Sequence, residues 1–152
     1  MFLSFKCLRY FLICEFLFNS LKKGVASPTS YKLRLDPSEQ FVAVSNNIFG
    51  MEIIDVRVKD NIKLRGTQYT PSAAWDCFFT PDLSHIYVVD AYYGLLLAPV
   101  TDLFLIDKDS ADTFTITFSY VYQSAQLMQS VAMIGNGNYL LLGFRSIGLR
   151  LF

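Results

Sequence analysis

The amino-acid sequence predicts an all-β protein: a partial β-propeller of about three four-stranded antiparallel blades, preceded by a short N-terminal helical or signal-like segment. Three observations carry this expectation. An apolar run, a short polar or aromatic break, a glycine and a second apolar run recur three times along the chain. The glycines that mark the pattern, Gly50, Gly94 and Gly148, stand 44 and 54 residues apart. Four-stranded propeller blades repeat at about 40–45 residues. Finally, the 152-residue chain is 53% hydrophobic, 16% aromatic and only 17% charged. Disorder requires the opposite balance, low hydrophobicity with high net charge.

The units span 41–55, 86–100 and 139–152. A turn signal lies a few residues before each: Asp36-Pro37-Ser38, Thr80-Pro81-Asp82 and Gly135-Asn136-Gly137. Another apolar stretch precedes each turn, at 31–35, 75–79 and 130–134. Two runs of strand formers joined by a Pro/Asp/Asn/Gly turn make a hairpin. The pair Asn136-Gly137 is a strong signal of this kind, because both residue types tolerate positive φ. The glycine ahead of each second apolar run supplies the same freedom, or a bulge. Further strands are expected at 63–69 and 113–122. In the latter, Thr-Phe-Thr-Ile-Thr-Phe alternates with period two, as a half-buried strand does. The longer second interval implies an insertion around 101–112, expected as a loop on one rim, where extra length costs little entropy.

The repeat resembles the LVIVD family of β-propeller repeats. Ile86-Tyr87-Val88-Val89-Asp90, followed by Gly94-Leu95-Leu96-Leu97, carries the resemblance best. Gly50-Met51-Glu52-Ile53-Ile54-Asp55-Val56 is similar to the second half of the motif, and Gly148-Leu149-Arg150-Leu151 to its start. Ala98-Pro99 departs from the expected Val-Asp, and Ser45 and Gly143 stand where Asp90 stands. The resemblance covers about 31–152 and implies a propeller, not an activity. Propellers typically have about four to eight blades. Three units are therefore expected to be a fragment of a longer protein, an array completed by copies or partners, or an open curved sheet capped by the N-terminal segment.

Residues 1–26 read as a separate apolar and basic segment with five Phe, five Leu, Lys6, Arg9, Glu15, Lys22 and Lys23. A transmembrane helix needs about 20 apolar residues with few charges, and this segment has charges throughout. Three readings stay open: a signal peptide ending at Gly24-Val25-Ala26, a basic amphipathic helix on a membrane surface or on the domain, or a segment outside the domain fold. Cys7, Cys14 and Cys77 are an odd set without a CxxC, and with His85 as the lone histidine they make no zinc site. They are expected to be reduced, small and hydrophobic. No N-x-[ST] sequon occurs, so the cytoplasm is favoured over secretion while location stays unassigned.

Catalytic motifs are missing from the sequence: there is no GxGxxG, Walker A, HExxH, GxSxG or DxDxDG. Asp107, Asp109 and Asp112 cluster on the insertion, but the EF-hand glycine and closing glutamate are lacking, with Phe118 at the twelfth position. They are expected to be solvated. His85 is near Asp82 and Asp76 in sequence, without a motif tying it to a nucleophile. Trp75, Phe78, Phe79, Tyr92 and Tyr93 are expected to pack between blades rather than form a rim surface. Asp55 and Asp90 end apolar runs and are expected to cap turns. No catalytic, cofactor-binding or metal residue is assigned. Net charge is zero, so no broad nucleic-acid footprint exists. The reading is a non-catalytic repeat module for protein interaction or scaffolding, expected to be a fragment of a longer protein. Its partners are other chains or copies of itself at open sheet edges, and residues 1–26 leave a membrane surface open as another. The alternative is a fragment of a propeller hydrolase or lactonase.

Overall fold

Turn chemistry sets the architecture. In the computed structural model, which describes residues 30, 32–58, 61–135 and 137–152, three four-residue turns separate the first and second strands of three sheets. Their backbone bonds are alike: Glu39 N–H to Asp36 O at 2.9 Å, Leu83 N–H to Thr80 O at 3.0 Å, and Asn138 N–H to Gly135 O at 3.2 Å. In the first two, a side chain at the turn's start accepts from the strand that follows. Asp36 Oδ1 takes the Gln40 and Phe41 amides at 2.7 and 2.6 Å, and Thr80 Oγ1 takes the His85 amide at 3.0 Å. Short polar side chains favour turns for this reason.

Strands β1 (Lys32–Leu35), β2 (Phe41–Ser45), β3 (Met51–Asp55) and β4 (Lys63–Gln68) form the first sheet. Strands β5 (Ala74–Phe79), β6 (His85–Asp90), β7 (Gly94–Pro99) and β8 (Ser119–Tyr122) form the second, and β9 (Met128–Ile134), β10 (Tyr139–Phe144) and β11 (Gly148–Leu151) the third. Every pairing is antiparallel between consecutive strands. The fold is all-β and propeller-like, with two four-stranded blades and a third that has three strands among the described residues. The N-terminal segment 1–26, with its helical or signal-like reading and with Cys7 and Cys14, lies outside the described residues.

Two cores hold the blades together. Phe41, Ala43, Met51 and Ile53 of the first blade meet Cys77, Phe79, Ile86, Val88, Leu96 and Ala98 of the second. Val89 and Leu95 of the second meet Met128, Val131, Leu142 and Phe144 of the third. Alternate residues of the middle blade thus serve opposite interfaces, as the two-residue period of a strand requires. The first strands of the blades are also tied by one carboxylate. Asp76 on β5 is fully buried, takes Arg34 of β1 at 3.2 Å through both oxygens, and accepts the Val131 amide of β9 at 3.3 Å.

The structure corrects the sequence reading of the architecture in four places. The strand expected at 113–122 is paired only over Ser119–Tyr122. Its alternation is nevertheless expressed: Phe114, Ile116 and Phe118 turn inward while the threonines stay exposed, on an extended run that makes one backbone bond to the first blade, Phe114 N–H to Arg65 O. The 101–112 insertion is not a free rim loop. It opens with a short 3-10 turn, Thr101–Leu105, whose Leu103 is buried in the first core, and Phe104 stands edge-on to Phe41 at 5.1 Å. The third blade shows three strands rather than four. Finally, the repeat register moves by one. Thr80 N–H bonds His85 O as Asp36 N–H bonds Phe41 O, so Phe41 is equivalent to His85, not Ile86. Asn46 and Phe144, rather than Ser45 and Gly143, then occupy the place of Asp90. Register follows the turn, whereas the apolar run begins one residue later.

Candidate functional site

The register identifies a surface by internal comparison. Counting from Gly50, Gly94 and Gly148, the residues Phe41, Ala43, Met51 and Ile53 correspond to Tyr139, Leu141, Leu149 and Leu151. In the first blade all four are 0% exposed, because they face the second blade. In the third, Tyr139 is 50%, Leu149 69% and Leu151 58% exposed. Cross-strand pairing puts Ala132 and Ile134 on the same face, since Ala132 lies opposite Leu141 and Ile134 opposite Tyr139. Period-two alternation therefore builds a wholly apolar patch, relieved only by Ser130 beside Gly143. Exposed apolar surfaces of this continuity mark interaction sites.

Among the described residues the edge beside this face is open as well. Gly50, with φ 78°, and Gly94, with φ 105°, sit under the carbonyls of Gln68 and Tyr122; a Cβ at either would lie 2.1 Å from that oxygen. Gly148 has the same backbone, φ 79°, but a Cβ there meets nothing within 4 Å. The fourth-strand carbonyl that covers the other two glycines has no counterpart among the described residues. Phe152 and Leu140 exchange both backbone bonds at 2.8 Å, and antiparallel pairs alternate, so Leu149 and Leu151 direct their N–H and C=O groups outward. Such an edge is a template for strand pairing.

The residues singled out from the sequence have structural places. Asp90 is fully buried and accepts the amides of Ser72, Tyr92 and Tyr93 at 2.7, 3.1 and 3.0 Å, together with the Ser72 hydroxyl. Asp55 accepts the Arg57 amide at 3.0 Å and pairs with Arg57 at 2.7 Å. It also pairs with Arg65, which no motif announced. Burial pushes the Asp55 carboxyl up, but hydrogen bonds from Arg57 and Arg65 override it and hold the group below its ordinary range.

Asp107, Asp109 and Asp112 do not converge as ligands. Their loop instead wraps Arg65, whose guanidinium donates to the carbonyls of Asp107, Lys108, Ser110 and Asp112 at 2.9–3.0 Å. Among the described residues no three His, Cys, Asp or Glu side chains come together for a metal. His85 is not paired with Asp76, which Arg34 occupies. It contacts Ser84 Oγ at 2.7 Å, and Ser84 in turn donates to Asp82. The serine lies between the imidazole and the carboxylate, whereas a Ser-His-Asp triad places the histidine between the other two. Hydrogen bonds from Thr80 and Ser84 lower Asp82 to about 2.

Trp75, Phe78 and Phe79 pack between blades as expected, whereas Tyr92 and Tyr93 are exposed at the β6–β7 turn. Cys77 is buried, and desolvation pushes its thiol up to about 12, leaving it unreactive. An open groove of about 550 Å³ runs along Tyr69, Thr70, Thr117, Phe118 and Tyr120, and no charged side chain lines it. Among the described residues no helix is long and apolar enough to cross a membrane. The sequence reading missed the exposed face because only the third dimension reveals which apolar residues lack a neighbour.

No protein-family model matches the chain, and no curated protein matches it. Among solved structures it is similar to a functionally unknown protein from Desulfotomaculum acetoxidans DSM 771, with a TM-score of 0.62 at 17% identity. The match covers 83% of this chain and 40% of that one. At this identity the likeness shows the fold alone, and the chain spans less than half the length of the protein it matches.

Proposed function

We propose that the chain is a non-catalytic β-propeller module of the LVIVD-repeat type that binds other protein chains through the open face of its third sheet. One observation carries this reading. Tyr139, Leu149 and Leu151 are exposed at positions whose equivalents in the first blade are 0% exposed because another sheet covers them. The face is formed by a rigid sheet, so binding it orders little chain and loses little entropy. Exposed apolar residues on a backbone already held by β9 and β10 are suited to docking.

The experiment is site-specific photo-crosslinking in the native host. A photoreactive phenylalanine analogue replaces Leu149 in one strain and the exposed turn residue Asp82 in another. A discrete protein adduct at 149 and none at 82, identified by mass spectrometry, is the expected result. Equal or absent adducts at both positions would remove the basis for an interaction module.

A further inference from the structure

We infer that one end of the propeller docks on a phospholipid bilayer through the tips of the turns that join the second and third strands of its blades. This surface is separate from the third-sheet face, and the first two blades carry it as much as the third. Each turn has three residues between paired strand ends: 47–49 between Asn46 and Gly50, 91–93 between Asp90 and Gly94, and 145–147 between Phe144 and Gly148. The last turn residue is a large apolar or aromatic one in every blade, and its exposure is alike: Phe49 39%, Tyr93 45% and Ile147 41%. Ile48 and Tyr92, one position earlier, are more exposed still, and so is Tyr69, which follows β4 beside Gly50. None of these side chains belongs to a blade core. The first strands of successive blades lie side by side, so the blades repeat about a common axis. Turns of equal length at one end of such a repeat reach nearly one plane.

A bilayer is the partner that fits. A plane of apolar tips matches a flat, deformable surface without any complementary relief. Phe and Ile enter the acyl boundary, and tyrosine, apolar in the ring and polar at its tip, belongs at headgroup level. Backbone groups that leave water must already be satisfied. Phe49 N–H bonds Asn46 O at 3.0 Å, and the Tyr92 and Tyr93 amides bond Asp90 Oδ1 at 3.1 and 3.0 Å. Charge is divided to suit. Among the described residues, the connections at this end, 46–50, 69–73, 91–93, 123–127 and 145–147, hold one charged residue, Arg145. Lys32 opens β1 at the same end, opposite Ser45. Both are cations, which suit lipid phosphates. Exposed carboxylates gather away from this end, with Asp82 in the β5–β6 turn and Asp102, Asp107, Asp109 and Asp112 on the insertion. An anionic lipid surface repels them and so favours the same orientation.

Flotation of the full chain with phosphatidylcholine vesicles tests the proposal. The chain should float with them, and about 0.5 M salt should leave binding in place, because apolar insertion is not screened. Ile48→Ser with Phe49→Ser, and Tyr92→Ser with Tyr93→Ser, should each weaken partition about tenfold while the urea midpoint of the free chain stays near the parent's. Leu105→Ser, which removes an apolar residue 81% exposed outside this end, should bind as the parent does. Tyr92→Trp gives a readout that needs no loss of binding: its emission should shift to the blue on vesicles and be quenched by brominated lipid, whereas Asp82→Trp should do neither. Absence of flotation, or flotation untouched by both serine pairs, would overturn the proposal. Binding that needs anionic lipid and disappears in salt would assign the contact to the basic residues of 1–26 and refute it too. A photoreactive residue at 92 that captures host protein but no lipid would make this end a protein site, and the bilayer would fall as its partner.

Discussion

Arg65→Ala tests whether one buried cation straps the first two blades together. Arg65 is 1% exposed and makes two bonds to Asp55 Oδ2, at 3.0 and 2.9 Å, plus four to insertion carbonyls. Removing one partner of a buried ion pair costs about 3–5 kcal/mol, because the other is left uncompensated. Asp55 keeps Arg57, which tempers that loss, but the insertion carbonyls lose every donor that Arg65 supplied. The two effects offset, and a loss of about 3–4 kcal/mol is expected. With a urea slope of about 2 kcal/mol/M, the midpoint should fall by roughly 1.5–2 M at unchanged slope. Limited proteolysis should then cut within 106–113, a loop the arginine otherwise pins. Arg65→Lys serves if the alanine variant does not fold: one ammonium cannot reach the carboxylate and four carbonyls, so it should lose about half as much. A change below about 1 kcal/mol in Arg65→Ala, with protease resistance intact, would refute the strap.

Three further outcomes follow from the geometry. Gly50→Ala and Gly148→Ala share the left-handed penalty of about 1–2 kcal/mol, but only the first drives a methyl to 2.1 Å from Gln68 O. Gly50→Ala should therefore be the costlier by urea titration, and equal losses would contradict the clash. Glu52 is buried with Oε2 unpartnered; desolvation raises its pKa against the opposing Asn46 hydrogen bond. A raised folded-state pKa stabilises most below the unfolded value of 4.5 and loses that contribution as pH climbs through the folded value. Glu52→Gln should accordingly match the parent at pH 4 and exceed its denaturation midpoint at pH 7, and a parallel pH profile would exclude it. Asp76→Ala should cost about 2–4 kcal/mol, as the amides of Cys77 and Val131 lose their acceptor and Arg34 retreats to water. Hydrogen exchange at Val131 should rise in this variant, and unchanged protection would show that Asp76 does not bridge the strands.

The strands at 41–45, 51–55, 85–90 and 94–99 were legible because β-branched runs and turn residues act over a few positions. So were the Asp90 turn and the inward packing of Trp75 and Phe79. The insertion was not. Leu103 and Ile116 belong to a core that includes Phe41 and Ala43, at least 60 residues earlier. Arg65 sits in Lys-Leu-Arg-Gly-Thr-Gln, where an arginine looks like any exposed strand residue. Its burial depends on Asp55 and a loop more than 40 residues away. The same distance explains why Asp107, Asp109 and Asp112 read as a cluster: only the fold turns the carbonyls of Asp107 and Asp112, not their carboxylates, toward Arg65.

The sequence by itself determined what is local: the strand periods, the turns at Asp36 and Thr80, and the glycines that must adopt positive φ. These repeat because each is settled by backbone sterics and by hydrogen bonds spanning about five residues. Tertiary structure decided which apolar residues are covered. Met51 and Leu149 occupy the same place in the same motif, and nothing in their surrounding residues separates them. One faces a second sheet and the other faces solvent, and exposure is a property of neighbours that approach through space rather than along the chain.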